Sequence, residues 1–277
     1  MKVEDCIVSV ERRSLGGCLD LAFVFWRRFI GPITLLMLTF AVPATLLTWL
    51  LANTLRHDVL LPSLAIFATL QMLFSGALVA AVGPQVFGVQ IQVRAALMQL
   101  LKRVVPYAFL GLLARSTGFC LVLPMFFVLA WCGHLPEVMF LERTELNSVT
   151  TRLSWLSKGG GYTRNVSRLF WLALFWVVLS FGIFVVIDLL ADVLFNSPIF
   201  SGSFGSGPDL RDELLGRLFD DPVFVTVLLS AFWLTAPILR LAWFFCYLDQ
   251  RIRNECWDLD LQYRVEAVRL EGQMTAT

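Results

Sequence analysis

Charged residues are missing from several stretches of this chain that are long enough to cross a lipid bilayer. Ile30–Ala52, Val59–Val93, Leu169–Ile187 and Pro222–Leu239 contain none. A helix needs about 20 predominantly apolar residues to span the hydrocarbon core. Val104–Leu141 is also apolar but holds Arg115, His134 and Glu137. A single helix of that length, rising about 1.5 Å per residue, overshoots the membrane. Pro124 lacks an amide donor and disfavours helix in the residue before it, which makes it the natural breaking point. A re-entrant segment would serve the pattern as well as a hairpin. The chain therefore reads as an all-α polytopic transmembrane helical bundle of about six spans in three hairpins. The spans fall near 30–52, 60–82, 104–122, 125–141, 169–194 and 222–248. They form a membrane domain, 29–248, between an amphipathic N-terminal segment, 1–28, and a C-terminal helix and tail, 249–277.

A second periodicity precedes each hairpin. Leu15, Leu19, Ala22, Phe23 and Trp26 share one side of Leu15–Arg28. Val93, Ala96, Leu97, Leu100 and Leu101 do so in Val89–Arg103, and Leu146, Val149, Leu153 and Leu156 in Glu145–Lys158. The spacing is helical. It predicts either three interfacial helices beneath the bundle or ordinary amphipathic links. A further amphipathic helix is expected over Asp209–Phe219, after a Gly/Ser/Pro-rich loop.

Positive charge sets the orientation. Lys2, Arg12, Arg13, Arg27 and Arg28 precede the first span, and Arg94, Lys102 and Arg103 lie in the second link. Arg143, Arg152, Lys158, Arg164 and Arg168 lie in the fourth. Arg251, Arg253, Arg264 and Arg269 follow the last span. These account for most of the 22 Lys and Arg residues. Short loops rich in Lys and Arg stay in the cytoplasm. Both termini are therefore expected there, in a bacterial inner membrane. The first 28 residues are too charged to be a cleavable signal.

Composition narrows the chemistry. The chain has 277 residues, 58% hydrophobic and only 16% charged, with a net charge of +1. A soluble domain is about 25% charged. The two histidines, His57 and His134, fall in no metal-ligand pattern, and the six cysteines form no CxxC pair. Nucleotide-loop and nucleophile-elbow motifs are absent from the sequence. The sequence thus points to no catalytic residue, metal or cofactor, and to no nucleic-acid partner. The expected partners are the lipid bilayer and other membrane or cytoplasmic proteins.

The stretch RRSLGGCLDLAFVFWRRFIGPITLLMLTFAVPATLL resembles the opening of a bacterial multi-pass family related to the membrane domain of glycerophosphoryl diester phosphodiesterases. Arg13, Leu15, Leu19, Asp20, Ala22, Phe23 and Arg27 match its R-x-L-x-x-x-L-D-x-A-F-x-x-x-R pattern. VMFLERTELNSVTTRLSWLSKGG is similar to a second family patch through Glu142, Ser154, Trp155 and Gly159. YLDQRIRNECWDLDLQ resembles the family's closing Y-x-D-x-R-x-R-x-E-G-x-D-L-x-L, with Cys256 in place of the glycine. In the phosphodiesterases a separate soluble barrel does the chemistry, and this sequence contains no counterpart of it. The resemblance implies no activity. Relatives without the barrel tend to be encoded beside AAA+ ATPases and transglutaminase-like membrane proteins, which implies a part in assembling membrane complexes.

Two groups of residues are candidates for function. The first is the intramembrane polar set: Arg115, His134, Asp188, Asp192 and Arg240. An arginine at a helix centre costs about 2.5–3.5 kcal/mol on insertion scales, so it should face the bundle interior. Arg115 is either an anion contact or a structural arginine reaching the surface. Asp188 and Asp192, spaced i,i+4, could bind a cation, pair with Arg115 or simply end a helix. Arg240 is expected to reach inward, towards Glu142 or the tail. The lone His134 suits helix–helix hydrogen bonding. The second group is Tyr247, Asp249, Arg251, Arg253, Glu255, Trp257 and Asp258 on the extension of the last helix. Its charges are paired i,i+4, and it reads as a cytoplasmic partner site or a helix folding back on the bundle. Two functions follow: a non-catalytic scaffold acting through its cytoplasmic face, or a transporter or lipid-handling protein using Arg115, Arg240 and the Asp188/Asp192 pair.

Overall fold

The computed structural model describes residues 12–55, 59–86, 90–120, 122–196, 199 and 216–255, with side chains 118–123 not described. Of the proposed helix at 209–219, residues 216–219 are described and are helical, while 209–215 lie outside the described residues, as do His57, Trp257 and Asp258. Among the described residues all regular structure is helical. In chain order the helices are α1 (Leu15–Arg28), α2 (Ile30–Leu55), α3 (Leu60–Val86), α4 (Val93–Cys120), α5 (Val122–Cys132), a π-helical turn (Glu137–Leu141), α6 (Leu146–Leu156), α7 (Gly161–Phe195) and α8 (Pro222–Glu255). Six segments are long and apolar enough to cross a membrane: α2, α3, Val93–Thr117, Pro124–Leu141, α7 and α8. The molecule is an integral, multi-pass membrane protein.

Helix α8 is the axis. Its stretch from Thr235 to Gln250 is buried on nearly every side, and α1, α2, α3, α6 and α7 all pack against it. Large apolar side chains elsewhere point outward, including Trp49, Leu50, Phe109, Val178 and Val193. A soluble monomer rarely exposes apolar patches of that extent, and lipid is the solvent that removes the penalty. Between α7 and α8 the Trp176 indole donates to Thr235 Oγ1 at 2.8 Å, and the Ser180 and Thr235 hydroxyls lie 2.7 Å apart. Polar pairs of this kind fix helix register where apolar packing alone is non-directional.

The amphipathic stretches end up differently from one another. Leu15–Arg28 is a separate helix, capped by the Ser14 hydroxyl accepting from Gly17 N–H and burying Cys18, Ala22 and Phe25. Glu145–Lys158 yields α6, which buries Val149, Leu153 and Leu156 while Leu146 stays exposed. Gly159 and Gly160, both at positive φ, turn the chain from α6 into α7. Val89–Arg103 is not a separate helix. It runs from Val93 straight into α4, because no cap or breaker intervenes and Pro106 is accommodated inside the helix.

The Pro124 region also differs in detail. Pro124 stands third in α5 rather than between two helices, a place where its missing N–H costs nothing. The two expected spans do part here, α4 ending at Cys120 and α5 beginning at Val122, and a second helical break falls at Gly133–His134, ahead of the π-helical turn. A Cβ on Gly133 would lie 2.9 Å from the Trp243 ring and 2.5 Å from the Leu129 carbonyl. Glycine here lets α8 come close, and the interruption aims His134 and Glu137 into the bundle.

Close approach also governs the α3–α4 crossing. A Cβ on Gly76 would meet Tyr107 at 2.8 Å and Phe140 at 2.9 Å. Gly31 has nothing within 4 Å. Gly76→Val is therefore expected to lower stability by about 1–3 kcal/mol through overpacking. Gly31→Ala should change it little. Thermal unfolding in mild detergent compares the two directly, and equal effects would refute the close-packing assignment.

Candidate functional site

The polar residues gather in two places: a cluster of ion pairs at the end of the bundle carrying the basic links, and a buried seam that runs up α8 from it.

The end cluster is built around Asp249 and Glu142. Asp249 is 1% exposed. It accepts from the Arg168 guanidinium of α7, from Arg253 Nε one turn on at 2.9–3.0 Å, and from the backbone N–H of Arg13 at 2.8 Å. Arg253 returns a bond to the Arg13 carbonyl at 3.2 Å. One carboxylate thus joins the start of α1, the start of α7 and the end of α8. Glu142, just past the π-helical turn, accepts a fork from Arg152 of α6 at 2.6 and 2.8 Å and the Tyr247 hydroxyl of α8. Arg152 also reaches Glu255, which Arg251 meets at 2.8 Å. The Leu156 carbonyl, at the end of α6, accepts from Gln250 at 2.5 Å and Asn254 at 3.2 Å.

Arg103 and Gln99 of α4 donate to carbonyls around the π-helical turn: Arg103 to Met139 and Thr144, Gln99 to Phe140. A π turn leaves carbonyls without their usual α-helical partners, and these side chains supply replacements.

Burial pushes the Glu142 carboxyl up, but hydrogen bonds from Arg152 and Tyr247 and the nearby guanidinium charges outweigh it. The carboxyl is held below its ordinary range. Glu142 therefore stays ionised to lower pH in the folded chain than in the unfolded one. Its pairing stabilises the fold above the usual glutamate pKa of about 4.3, and that contribution disappears as pH falls through the depressed value. Glu142→Gln should accordingly lose less stability than the parent protein between about pH 6 and about pH 3. Parallel acid-unfolding curves in detergent are the check, and superimposable losses would contradict it.

The buried seam contains residues that the sequence singled out and others that it did not. Arg240 donates to Glu137 at 2.6 Å, and Glu137 is fully buried. His134, 1% exposed, stacks on Trp243 with ring centroids 4.6 Å apart. Trp243 donates to the Gly133 carbonyl at 3.0 Å, and Asn165 of α7 donates to the Ala130 carbonyl at 3.3 Å. Several buried atoms along this seam have no hydrogen-bond partner: both His134 ring nitrogens, Glu137 Oε2, Asn165 Oδ1, Arg240 Nε and Gln250 Oε1. Each such atom costs about 1–3 kcal/mol. A natural bundle keeps such groups for a reason other than stability.

Beside the seam lies a cavity of about 50 Å³ between α3, α4, α5 and α8, lined by both Arg115 and Arg240. Arg115 is half-buried, and its hydrogen bond goes to the Gly111 carbonyl of its own helix at 3.4 Å. Asp188 and Asp192 are not part of this site. Asp188 is buried but accepts from the Ile199 N–H at 2.7 Å, and Asp192 is only partly buried near the end of α7. Pairing with Arg115, one of the roles open to these aspartates, is not seen, and neither lines the cavity. Arg240 turns to Glu137, not to Glu142 or the tail.

Glu137, Arg168 and Asn165 escaped the sequence reading as site residues. Glu137 was visible as a carboxylate inside an apolar run, and opposite intramembrane charges are expected to pair. Among the described residues no group of three or more His, Cys, Asp or Glu side chains could hold a metal ion. Set against protein-family models, curated proteins and solved structures, the chain matches none of them.

Proposed function

We propose that this protein is a non-catalytic component of a membrane-associated complex, presenting a rigid basic face on the cytoplasmic side of a bacterial inner membrane. The observation that carries the reading is the Asp249 junction. It ties α1, α7 and α8 together, while Glu142 and Leu156 tie α6 to the same end of α8. Helices α1, α6, α7 and α8 are thereby held together at this end. Arg27, Arg28, Arg94, Lys102, Arg143 and Lys158 remain exposed on the basic links. Preorganised charge favours an acidic partner surface and steers its approach. The Lys and Arg distribution along the chain supports the cytoplasmic placement of this face and of both termini.

The resemblance to the phosphodiesterase-associated membrane family enters on the same ground. Among the residues that carry that resemblance, Arg13, Glu142, Tyr247, Asp249, Arg251, Arg253 and Glu255 take part in the end cluster. A motif made of these residues has a structural duty, and this favours assembly over chemistry.

The test is affinity purification of the intact chain in mild detergent, beside an Arg94→Glu/Lys102→Glu variant. Both side chains are exposed, so the variant should unfold at the same temperature as its parent. A partner retained by the parent and lost from the variant is the expected result. A chain that always elutes alone would overturn the proposal.

A further inference from the structure

The cavity between α3, α4, α5 and α8 has a wall of unusual charge. Arg115 enters it from α4 and Arg240 from α8, and no carboxylate is among its lining residues. The two hydroxyls in the lining are already engaged. The Tyr107 hydroxyl donates to the Met72 carbonyl at 2.7 Å, and the Ser75 hydroxyl donates to the Gln71 carbonyl at 2.8 Å. Arg240 is 7% exposed, and its Nε has no hydrogen-bond partner although one terminal nitrogen holds Glu137. Arg115 has one long bond to its own helix. Two guanidiniums therefore face one small space, and among the described residues the carboxylate paired with them is Glu137, on Arg240.

Depth sharpens the point. Arg115 lies twelve positions along α4 from Arg103, which belongs to the basic end. At about 1.5 Å per residue this is roughly 18 Å into the bundle. Excess positive charge at that depth is costly unless an anion shares the site. A guanidinium offers a planar fork of donors suited to oxyanions, and two of them from different helices form a clamp rather than a surface patch. The volume, about 50 Å³, is several times the roughly 10–15 Å³ that one water requires by the same kind of measure. It suits a compact group and excludes a bulky solute. Arg115 is half-buried and Arg240 buried, so entry is past Arg115.

We infer that this cavity is a binding site for a phosphate group, clamped between Arg115 and Arg240, with Glu137 holding the far side of Arg240. The phosphate comes either from free inorganic phosphate or from a lipid headgroup drawn in along α4. The site is separate from the basic face proposed above and does not depend on it.

The experiment uses the full chain purified in a maltoside detergent, with thermal unfolding followed under three additions at matched ionic strength. These are sodium phosphate, sodium chloride, and phosphatidylglycerol with diacylglycerol as its headgroup-free control. Stabilisation by phosphate identifies the free ion as the source. Stabilisation by phosphatidylglycerol, but not by diacylglycerol or phosphate, identifies the headgroup. In either case R115Q should weaken the apparent affinity about tenfold or more, the size expected for losing a charge-assisted pair. R115Q leaves the Arg240–Glu137 pair in place and gives up only a bond within α4, so it should fold. D192N, away from the cavity, should bind as the parent does. No stabilisation by either phosphate source, an equal effect of chloride, or unchanged binding in R115Q would each overturn the assignment.

Discussion

Asp249→Asn should be among the most damaging single substitutions in this protein, lowering stability by about 3–5 kcal/mol. Removing the charge strands the Arg168 guanidinium, whose side chain is only 7% exposed. A guanidinium cannot shed its proton to escape. The same change weakens the bond from the Arg13 N–H and removes the ionic partner of Arg253. Arg253 is 31% exposed and can turn to water, so its loss is minor. The main cost is the stranded Arg168, and it should be relieved by removing that charge too. Asp249→Asn/Arg168→Gln is expected to recover a substantial part of the lost stability. Thermal unfolding of the four proteins of this double-mutant cycle in mild detergent provides the measurement. A double variant as unstable as the sum of the single ones would show that the two residues do not act as a pair.

Glu137→Leu is expected to be similarly severe, and clearly worse than Arg240→Met. The two substitutions break the same 2.6 Å pair but leave different remainders. Arg240→Met leaves a carboxyl in apolar surroundings, which a proton can neutralise. Glu137→Leu leaves an arginine that has no such recourse, beside a cavity that already contains Arg115. The cost should approach about 3–5 kcal/mol for Glu137→Leu and fall well short of it for Arg240→Met. Replacing both with apolar side chains should restore much of the stability, since a buried pair often breaks even against good packing. Yield of folded, monodisperse protein and its unfolding temperature would rank the three variants. Equal losses in the two single variants would contradict the argument from asymmetry.

The bundle was legible in the sequence because lipid imposes a coarse requirement. Uninterrupted apolar length is visible residue by residue, and it suffices to read six membrane-crossing segments. The i,i+4 spacing of Asp249 with Arg253 and of Arg251 with Glu255 was legible for the same reason, since it needs only one helix. What the sequence hid were pairs made across the bundle. Arg168 reads as one more basic marker of orientation until α7 sets it against Asp249, 81 residues away. Glu137 reads as the polar end of a span until the interruption at Gly133 turns it towards Arg240. Nothing local marks that interruption more strongly than Pro124, which the helix absorbs in its first turn. The spacing of Asp188 and Asp192 left several roles open, and the structure shows the buried Asp188 carboxylate accepting from the backbone at Ile199.

The junction at Asp249 also has a consequence in time. Arg13 precedes its carboxylate partner by 236 residues. At a synthesis rate of about 5–20 residues per second, the two are made roughly 10–50 s apart. Throughout that interval α1 has no final resting place, and the buried face of Cys18, Ala22 and Phe25 must be kept by lipid or by an insertion factor. The last of the described helices to emerge is the one against which α1, α2, α3, α6 and α7 pack. The contact between the start of α1 and α8 can therefore close only after α8 has been made.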